Sequence, residues 1–192
     1  SRLDTVWQQR HAMAPDAEAL RLIEVVWQNF MLAGATLSPE QKTELKAINQ
    51  SLARLVSQFN QHLLAADKTG GLEIDDVSQL AGLSEADIQA AAQAAADKGL
   101  DGHWWLALLN TTQQPALQSL ENRAVREALF KAGWHRTEKG DANDTRAIVT
   151  RLAMLRAEKA ALLGFDDYAS WSIASQMAKT PDAALGFMRA IE

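Results

Sequence analysis

The four histidines are the residues of this sequence best suited to chemistry, because imidazole binds metals and transfers protons near neutral pH. They stand far apart, at His11, His62, His103 and His135. A zinc-binding helix needs His-Glu-x-x-His, and a carboxylate-bridged di-iron bundle needs Glu-x-x-His. Neither pattern occurs. We therefore interpret each histidine as a surface or capping side chain, and we predict no catalytic, cofactor-binding or metal-ligating residue in this chain.

Motifs for phosphate binding and acyl transfer are also absent. The sequence contains no Gly-x-x-x-x-Gly-Lys loop, Gly-x-Gly-x-x-Gly turn or Gly-x-Ser-x-Gly elbow. Lys68-Thr69-Gly70-Gly71 has the residue types of a phosphate loop in the wrong order, so we interpret it as the end of a helix. Cysteine is absent, which excludes disulfides, thiol nucleophiles and thiolate metal sites. A reducing compartment fits this composition, although a periplasmic protein can also lack cysteine; we expect a cytoplasmic protein.

Aromatic and charged clusters offer two further possibilities. Six tryptophans could stack on bases or sugars, but they are scattered and several fall on apolar helix faces, so core packing is preferred for most. Residues 121–127 and 151–159 are rich in charge. Surface pairs contributing about 0.3–0.5 kcal/mol each are favoured for the first cluster. For the second, partly buried bidentate pairs that join helices are an equal alternative.

The composition is that of a globular protein that binds neither nucleic acid nor a membrane. Of the 192 residues 47% are hydrophobic, and the net charge of −5 gives no attraction for a phosphate backbone. No basic stretch suggests an anionic membrane surface. The longest uncharged run, Gly102 to Leu120, is continuously apolar only from Trp104 to Leu109, far short of the roughly 20 residues of a membrane span.

The period of the apolar residues is helical along most of the chain. Between Pro39 and Ala66 these residues recur at three-and-four spacing, at Leu45, Ile48, Leu52, Leu55, Val56, Phe59 and Leu63. Ser38 as N-cap, Pro39 as first helical residue and Gln41 as capping-box partner predict where this helix begins. At 1.5 Å per residue it extends for about 40 Å.

Other start and stop signals predict a succession of shorter helices. These helices run from near Pro15 to Gly34, from Ser84 to Gly99, from Pro115 through Leu129, from Asp144 or Asn143 to Gly164, from Asp166 or Asp167 to Met177, and from Thr180-Pro181 onward. Leu72-Glu73-Ile74 alternates and predicts a short extended segment, whereas Trp104 to Leu109 fits either a strand or a buried helical turn. We expect an all-α fold with at most traces of β structure.

Several short stretches agree in order and approximate spacing with one family of enzymes. They are Phe30-Met31-Leu32-Ala33-Gly34-Ala35, Ser57-Gln58-Phe59-Asn60-Gln61, Asn110 to Leu117, Asn122-Arg123, Arg126-Glu127, Asp144-Thr145-Arg146, Leu162-Leu163-Gly164-Phe165, Tyr168-Ala169 and Met177 to Pro181. In these stretches the chain resembles the peptidyl-dipeptidase branch of the thimet oligopeptidase family. The resemblance extends from about Val6 to Glu192, and its collinearity makes it specific.

This resemblance implies a two-lobed, almost wholly helical zinc metallopeptidase with a deep channel between its lobes. Such an enzyme holds zinc on a His-Glu-x-x-His helix with a further Glu, admits short unfolded peptides and releases dipeptides from their C-termini. No position of this chain matches the zinc motif, so no catalytic or metal residue is carried over. Zinc is expected in the parent protein and not in this chain.

The end of the chain suggests a segment of a longer protein. Residues 185–192 are amphipathic and contain no helix-stop signal. We therefore expect residues 1–192 to be one incomplete helical segment, N-terminal to the catalytic domain, with a scaffold and channel-wall role and no peptidase activity alone. Its expected partners are the missing catalytic lobe and, through exposed apolar stripes, a second copy. The alternative is a free-standing helical interaction module.

Overall fold

The computed structural model describes residues 2–14 and 16–192, and most of them lie in helices. The α-helices are α1 (Arg2–Gln8), α2 (Arg10–Met13), α3 (Ala17–Leu32), α4 (Pro39–Thr69), α5 (Glu85–Ala96), α6 (Asn110–Ser119), α7 (Arg123–Trp134), α8 (Arg146–Leu162), α9 (Tyr168–Ile173) and α10 (Pro181–Ile191). The strands are β1 (Gly71–Ile74) and β2 (Trp104–Ala107), and a 3₁₀ helix spans Val77–Leu80. The predicted all-α fold with traces of β structure is confirmed.

The chain divides into two compact units. The first comprises the residues up to Arg54 together with Arg151–Glu192, and the second comprises Leu55–Thr150. In the first unit, buried residues from α4 and α8 form the interior: Leu45, Ile48, Leu152, Leu155 and Ala160. Gly34 follows α3 with φ +86°, and a Cβ there would approach Leu45 Cδ2 to 2.8 Å. Glycine therefore allows both the turn and the close packing at this point.

The second unit contains the larger apolar core and the sheet. β1 and β2 pair in antiparallel register, with Gly71 opposite Ala107 and Ile74 opposite Trp104. Helices α5, α6 and α7 contribute to the same core, whose most buried side chains are Leu80, Leu106, Leu108, Leu120 and Leu129. The two extended segments that the sequence indicates thus meet as one small sheet, and the strand interpretation of the 104–109 run is correct for residues 104–107.

The long helix α4 begins with the predicted capping box. The Oγ of Ser38 accepts a hydrogen bond from the N–H of Gln41 at 3.2 Å, and Gln41 Oε1 accepts from the N–H of Ser38 at 3.0 Å. This reciprocal pair satisfies two donors that a helix start leaves unbonded. With 31 residues, α4 is about 46 Å long and ends at Thr69, as predicted.

The region around Pro115 differs from the prediction of one helix from Pro115 through Leu129. Helix α6 already begins at Asn110, where the extended backbone of Leu109 precedes it, and Pro115 lies inside it. The chain leaves helical geometry at Leu120, and α7 begins after Asn122, whose side chain accepts from two backbone N–H groups. Burial of the Leu120 side chain and capping by Asn122 stabilise two separate helices, although the apolar pattern alone indicates one continuous helix.

The remaining helix boundaries mostly follow local signals. Asp144 accepts from the N–H of Arg146 at the start of α8, Asp167 caps α9 and Thr180 caps α10. The predicted extension of α9 to Met177 is wrong, since the helix ends at Ile173; the carbonyl of the next residue, Ala174, accepts a hydrogen bond from the side-chain amide of Gln28. The predicted helix start near Pro15 lies outside the described residues. No helix in the described part of the chain has the length and apolarity to span a membrane.

Candidate functional site

Two of the histidines form ordinary pairs with glutamates. The Nδ1 of His103 lies 2.6 Å from Glu73 Oε1, and the Nδ1 of His135 lies 3.0 Å from Glu138 Oε2. Across residues 2–14 and 16–192, no three His, Asp or Glu side chains come together as a metal-binding group. A zinc site takes three or four such ligands. The described residues therefore do not fit a zinc site.

The other two histidines differ in their surroundings. His11 is exposed, as predicted. His62 is only half-exposed, and its Nδ1 is shielded from solvent without a hydrogen-bond partner. His62 precedes the buried Ala66 by four residues on α4, so both lie on the same face of that helix. His62 thus lies at the edge of the packed face of α4, and its surface or capping role stays a prediction.

The first charged cluster contains an expected surface pair and, in addition, a side chain that bonds the backbone at the break between two helices. The guanidinium of Arg126 donates to the backbone carbonyls of Leu120 and Glu121, the latter at 2.9 Å. These carbonyls lie at the break between α6 and α7, where the helical ladder leaves acceptors unbonded. Glu127 pairs with Lys131 at 2.6 Å, and this contact lowers the pKa of Glu127.

The second charged cluster, residues 151–159, forms surface contacts. Arg151 Nη1 lies 3.2 Å from Glu158 Oε1, and both side chains are about half exposed. Arg156 lies over the ring of Tyr168, with its guanidinium carbon 5.1 Å from the ring centroid. The alternative of partly buried bidentate pairs is therefore not realised in this cluster.

The tryptophans pack at the margins of the two cores rather than within them. Trp7 and Trp27 stack with their ring centroids 4.1 Å apart. Trp134 stacks on Phe130 and is 68% exposed, whereas the other five tryptophans are half-buried. The predicted core packing is thus correct only in part, since none of the six reaches the fully buried class.

The first unit contains a cleft of about 410 Å³ that sequence reasoning did not identify. We call it the Lys159 cleft, and its lining residues are Asn29, Leu32, Ala33, Leu45, Asn49, Lys159, Trp171, Ser172 and Ser175. Helices α3, α4, α8 and α9 each contribute, so the cleft is assembled from distant parts of the sequence. Its polar residues resemble ordinary solvent-facing positions of amphipathic helices, and for this reason no local pattern reveals it.

Two hydrogen bonds hold the walls of the cleft together. The indole N–H of Trp171 donates to the backbone carbonyl of Leu32 at 3.0 Å. The side-chain amide of Gln28 donates to the backbone carbonyl of Ala174 at 3.1 Å. Both bonds join α3 to the α9 region, and the first fixes the plane of the Trp171 ring.

Lys159 is the charged group of the cleft. Its Nζ lies 4.2 Å from the centroid of the Trp171 ring, within the range of a cation–π contact. Burial lowers the pKa of Lys159, because the ammonium loses part of its hydration. No Asp or Glu is among the residues that line the cleft. The arrangement supplies positive charge and hydrogen-bond donors.

Comparison with known proteins places these features in a family context. Residues 116–192 match the profile of the family described as Peptidase family M3. The chain is 59% identical over 191 residues to a dipeptidyl carboxypeptidase of Escherichia coli (strain K12), and 58% identical over 191 residues to a dipeptidyl carboxypeptidase of Salmonella typhimurium. Both alignments cover 100% of this chain. It is also 35% identical over 170 residues, 85% of its length, to an organellar oligopeptidase A of Arabidopsis thaliana.

The aligned region is a minor part of each relative. This chain spans 28% of the length of the two dipeptidyl carboxypeptidases and 21% of the length of the Arabidopsis protein. Similarity to these proteins therefore concerns one region of each and not their whole sequences.

Proposed function

We propose that this chain, whose residues 116–192 match Peptidase family M3, forms a scaffold and channel-wall segment of a longer zinc metallopeptidase. The proposed parent enzyme removes dipeptides from the C-termini of short unfolded peptides. The observation that carries this proposal is the 59% identity with a dipeptidyl carboxypeptidase along the whole chain. We also propose a cytoplasmic location, which fits the absence of cysteine.

The zinc of the proposed enzyme is assigned to a part of the protein beyond the described residues. The pairs His103–Glu73 and His135–Glu138 each offer two groups, fewer than the three protein ligands of a catalytic zinc site. No step of peptide hydrolysis is therefore assigned to this chain. Its proposed contribution is to hold helices in fixed positions next to the peptide.

The contacts inside each unit support a scaffold role. Arg126 of α7 bonds two backbone carbonyls in the turn that follows α6, and Trp171 joins α9 to α3 through another. Side chains that bond backbone groups of another helix restrict how the two helices move relative to one another. A peptide channel benefits from wall helices that are already held in place. The entropy cost of ordering them then does not reduce the affinity for the substrate.

The rival proposal is a free-standing helical interaction module. Helix α10 supports it, because its apolar side chains Leu185, Phe187, Met188 and Ile191 are all exposed. An apolar helix face of this kind fits a helix-in-groove partner. The encoding reading frame discriminates between the proposals: a frame that continues past Glu192 into a His-Glu-x-x-His segment favours the peptidase.

A chimeric enzyme tests the scaffold proposal directly. The 191 aligned residues of the Escherichia coli relative would be replaced by the corresponding residues of this chain. We expect the chimera to release C-terminal dipeptides from a short synthetic peptide, as detected by mass spectrometry. We expect the 192-residue chain alone, with added zinc, to release none.

Three outcomes decide between the proposals. A well-folded chimera without activity would contradict the scaffold proposal, with circular dichroism as the folding check. Dipeptide release by the 192-residue chain alone would also contradict it, as would tight one-to-one zinc binding by that chain. As a control, the relative with the 191 residues deleted is expected to be inactive.

A further inference from the structure

We propose that the Lys159 cleft is a binding site for a carboxylate group, with the Lys159 ammonium as its counter-ion. The cleft combines this ammonium with side chains that can donate hydrogen bonds, and no acidic residue lines it. A carboxylate only accepts hydrogen bonds and carries the opposite charge, so it complements such a lining.

The donors of the cleft are available to a ligand. The side chains of Asn29, Asn49, Ser172 and Ser175 form no hydrogen bond with any other residue that the structure describes. Lys159 is likewise not part of an ion pair within residues 2–14 and 16–192, although its neighbour Glu158 pairs with Arg151. The cleft therefore offers one cation, two amides and two hydroxyls without protein partners.

The position of the ammonium is fixed by the indole beneath it. Trp171 cannot rotate freely, because its N–H is bound to the Leu32 carbonyl. Lys159 Nζ lies over this ring at 4.2 Å from the centroid, so the charge is directed by packing before a ligand arrives. Partial burial lowers the pKa of Lys159, and a bound carboxylate would raise that pKa again by stabilising the ammonium.

The size of the cleft suits the end of a short peptide. Its volume of about 410 Å³ falls within the range of about 300–1,000 Å³ that is usual for ligand sites. The carboxylate can come from a peptide C-terminus or from an Asp or Glu side chain. The proposal that the cleft binds a carboxylate is argued from the cleft alone. The proposal that this carboxylate belongs to a peptide rests on the proposed function.

Nuclear magnetic resonance of the lysine side chains tests this proposal in the 192-residue chain. The probes are Ala-Ala-Ala with a free C-terminus, the same peptide with a C-terminal amide and a blocked N-terminus, and Ala-Glu-Ala blocked at both ends. We expect a saturable shift of the Lys159 ε-CH₂ resonance with the first or third probe. We expect the neutral second probe to bind at least about tenfold more weakly. The responding probe identifies the source of the carboxylate.

Substitutions distinguish the cleft from general charge attraction. Lys159→Met should weaken the responding peptide by about tenfold or more, and Lys159→Arg should retain most of the affinity. Lys139→Met makes the same change in net charge at an exposed lysine of the second unit and should have no effect. Circular dichroism verifies that each variant is folded.

Several results would overturn the carboxylate site. These are an equal response to the neutral probe, unchanged binding by Lys159→Met, or the absence of any saturable shift at Lys159. The result is separable from the scaffold proposal. An active chimera remains informative when the titration fails, and a positive titration stands when the chimera is inactive.

Discussion

The indole N–H of Trp171 donates a hydrogen bond of 3.0 Å to the backbone carbonyl of Leu32, a residue 139 positions earlier in the chain. Leu32 is the last residue of α3, where the helix leaves its final carbonyls without intrahelical partners. The bond therefore satisfies a group at the end of one helix with a side chain from another. It also sets the ring on which the Lys159 ammonium lies.

Replacing Trp171 by Phe should destabilise the first unit. The ring face is largely kept, but the N–H is removed and the Leu32 carbonyl loses its partner. We expect the free energy of unfolding to fall by about 1–3 kcal/mol in urea titrations. Trp134→Phe is the matched control, because Trp134 is 68% exposed and should change the free energy by less than about 0.5 kcal/mol. Equal effects of the two substitutions would contradict the structural role of this bond.

Two glycine substitutions should have opposite effects on stability. Gly133 lies in α7, where a Cβ would overlap the side-chain amide of the buried Gln113, which donates to the Leu129 carbonyl. Gly133→Ala should therefore cost about 1–3 kcal/mol despite the better helix propensity of alanine. Gly186 in α10 has open space around it, so Gly186→Ala should stabilise by up to about 1 kcal/mol. Thermal melts measure both, and a stabilised Gly133→Ala variant would contradict the packing of Gln113.

The elements that the sequence predicts well are those determined by neighbouring residues. Ser38, Asp167 and Thr180 act as caps through hydrogen bonds to N–H groups three residues away, so the local sequence contains all the necessary information. The zinc motif of the resembling family is also a local pattern, and its absence can be read directly. For these features, the local sequence leaves few alternative structures.

The elements that the sequence does not predict depend on distant contacts. The break between α6 and α7 requires Leu120 to be buried in the core and Arg126 to bond the released carbonyls. After the early end of α9, the Ala174 carbonyl is bonded by Gln28 from α3. The Lys159 cleft requires four helices at once, and its asparagines have the spacing of ordinary surface residues. Each of these features is determined by tertiary packing, which either overrides the local sequence pattern or adds a contact that the pattern does not indicate.

The contact between Asp144 and Arg146 should make stability depend on pH in the acid range. Hydrogen bonds from the Arg146 side chain and backbone N–H hold the pKa of Asp144 well below its usual value of 3.8. A carboxyl group with a depressed pKa contributes stability above its unfolded pKa and loses it as the pH falls toward the folded pKa. The free energy of unfolding of the native chain should therefore exceed that of Asp144→Asn at pH 7. This difference should shrink below about pH 3.8.

Urea titrations at pH 7 and at about pH 3 measure this difference. Asp101→Asn is the control, because Asp101 is exposed and makes no hydrogen bond with another residue in the described ranges. A gap between the native chain and Asp144→Asn that does not change with pH would assign the effect to helix capping geometry rather than to charge.

The exposed apolar face of α10 should drive self-association of the 192-residue chain. Phe187, Met188 and Ile191 lie within one and a half turns of each other and are 69%, 60% and 73% exposed. Apolar side chains gathered on one face lose contact with water together when two copies meet, whereas scattered ones do not. We therefore expect the mass in sedimentation equilibrium to rise with protein concentration, and replacing Phe187 and Ile191 together by Ser should weaken the association by about tenfold or more.

Met177→Ser removes a fully exposed methionine that lies outside this face, so it should leave the association unchanged. A chain that stays monomeric at all concentrations would contradict this expectation, and equal weakening by Met177→Ser would assign the association to general hydrophobicity instead of α10.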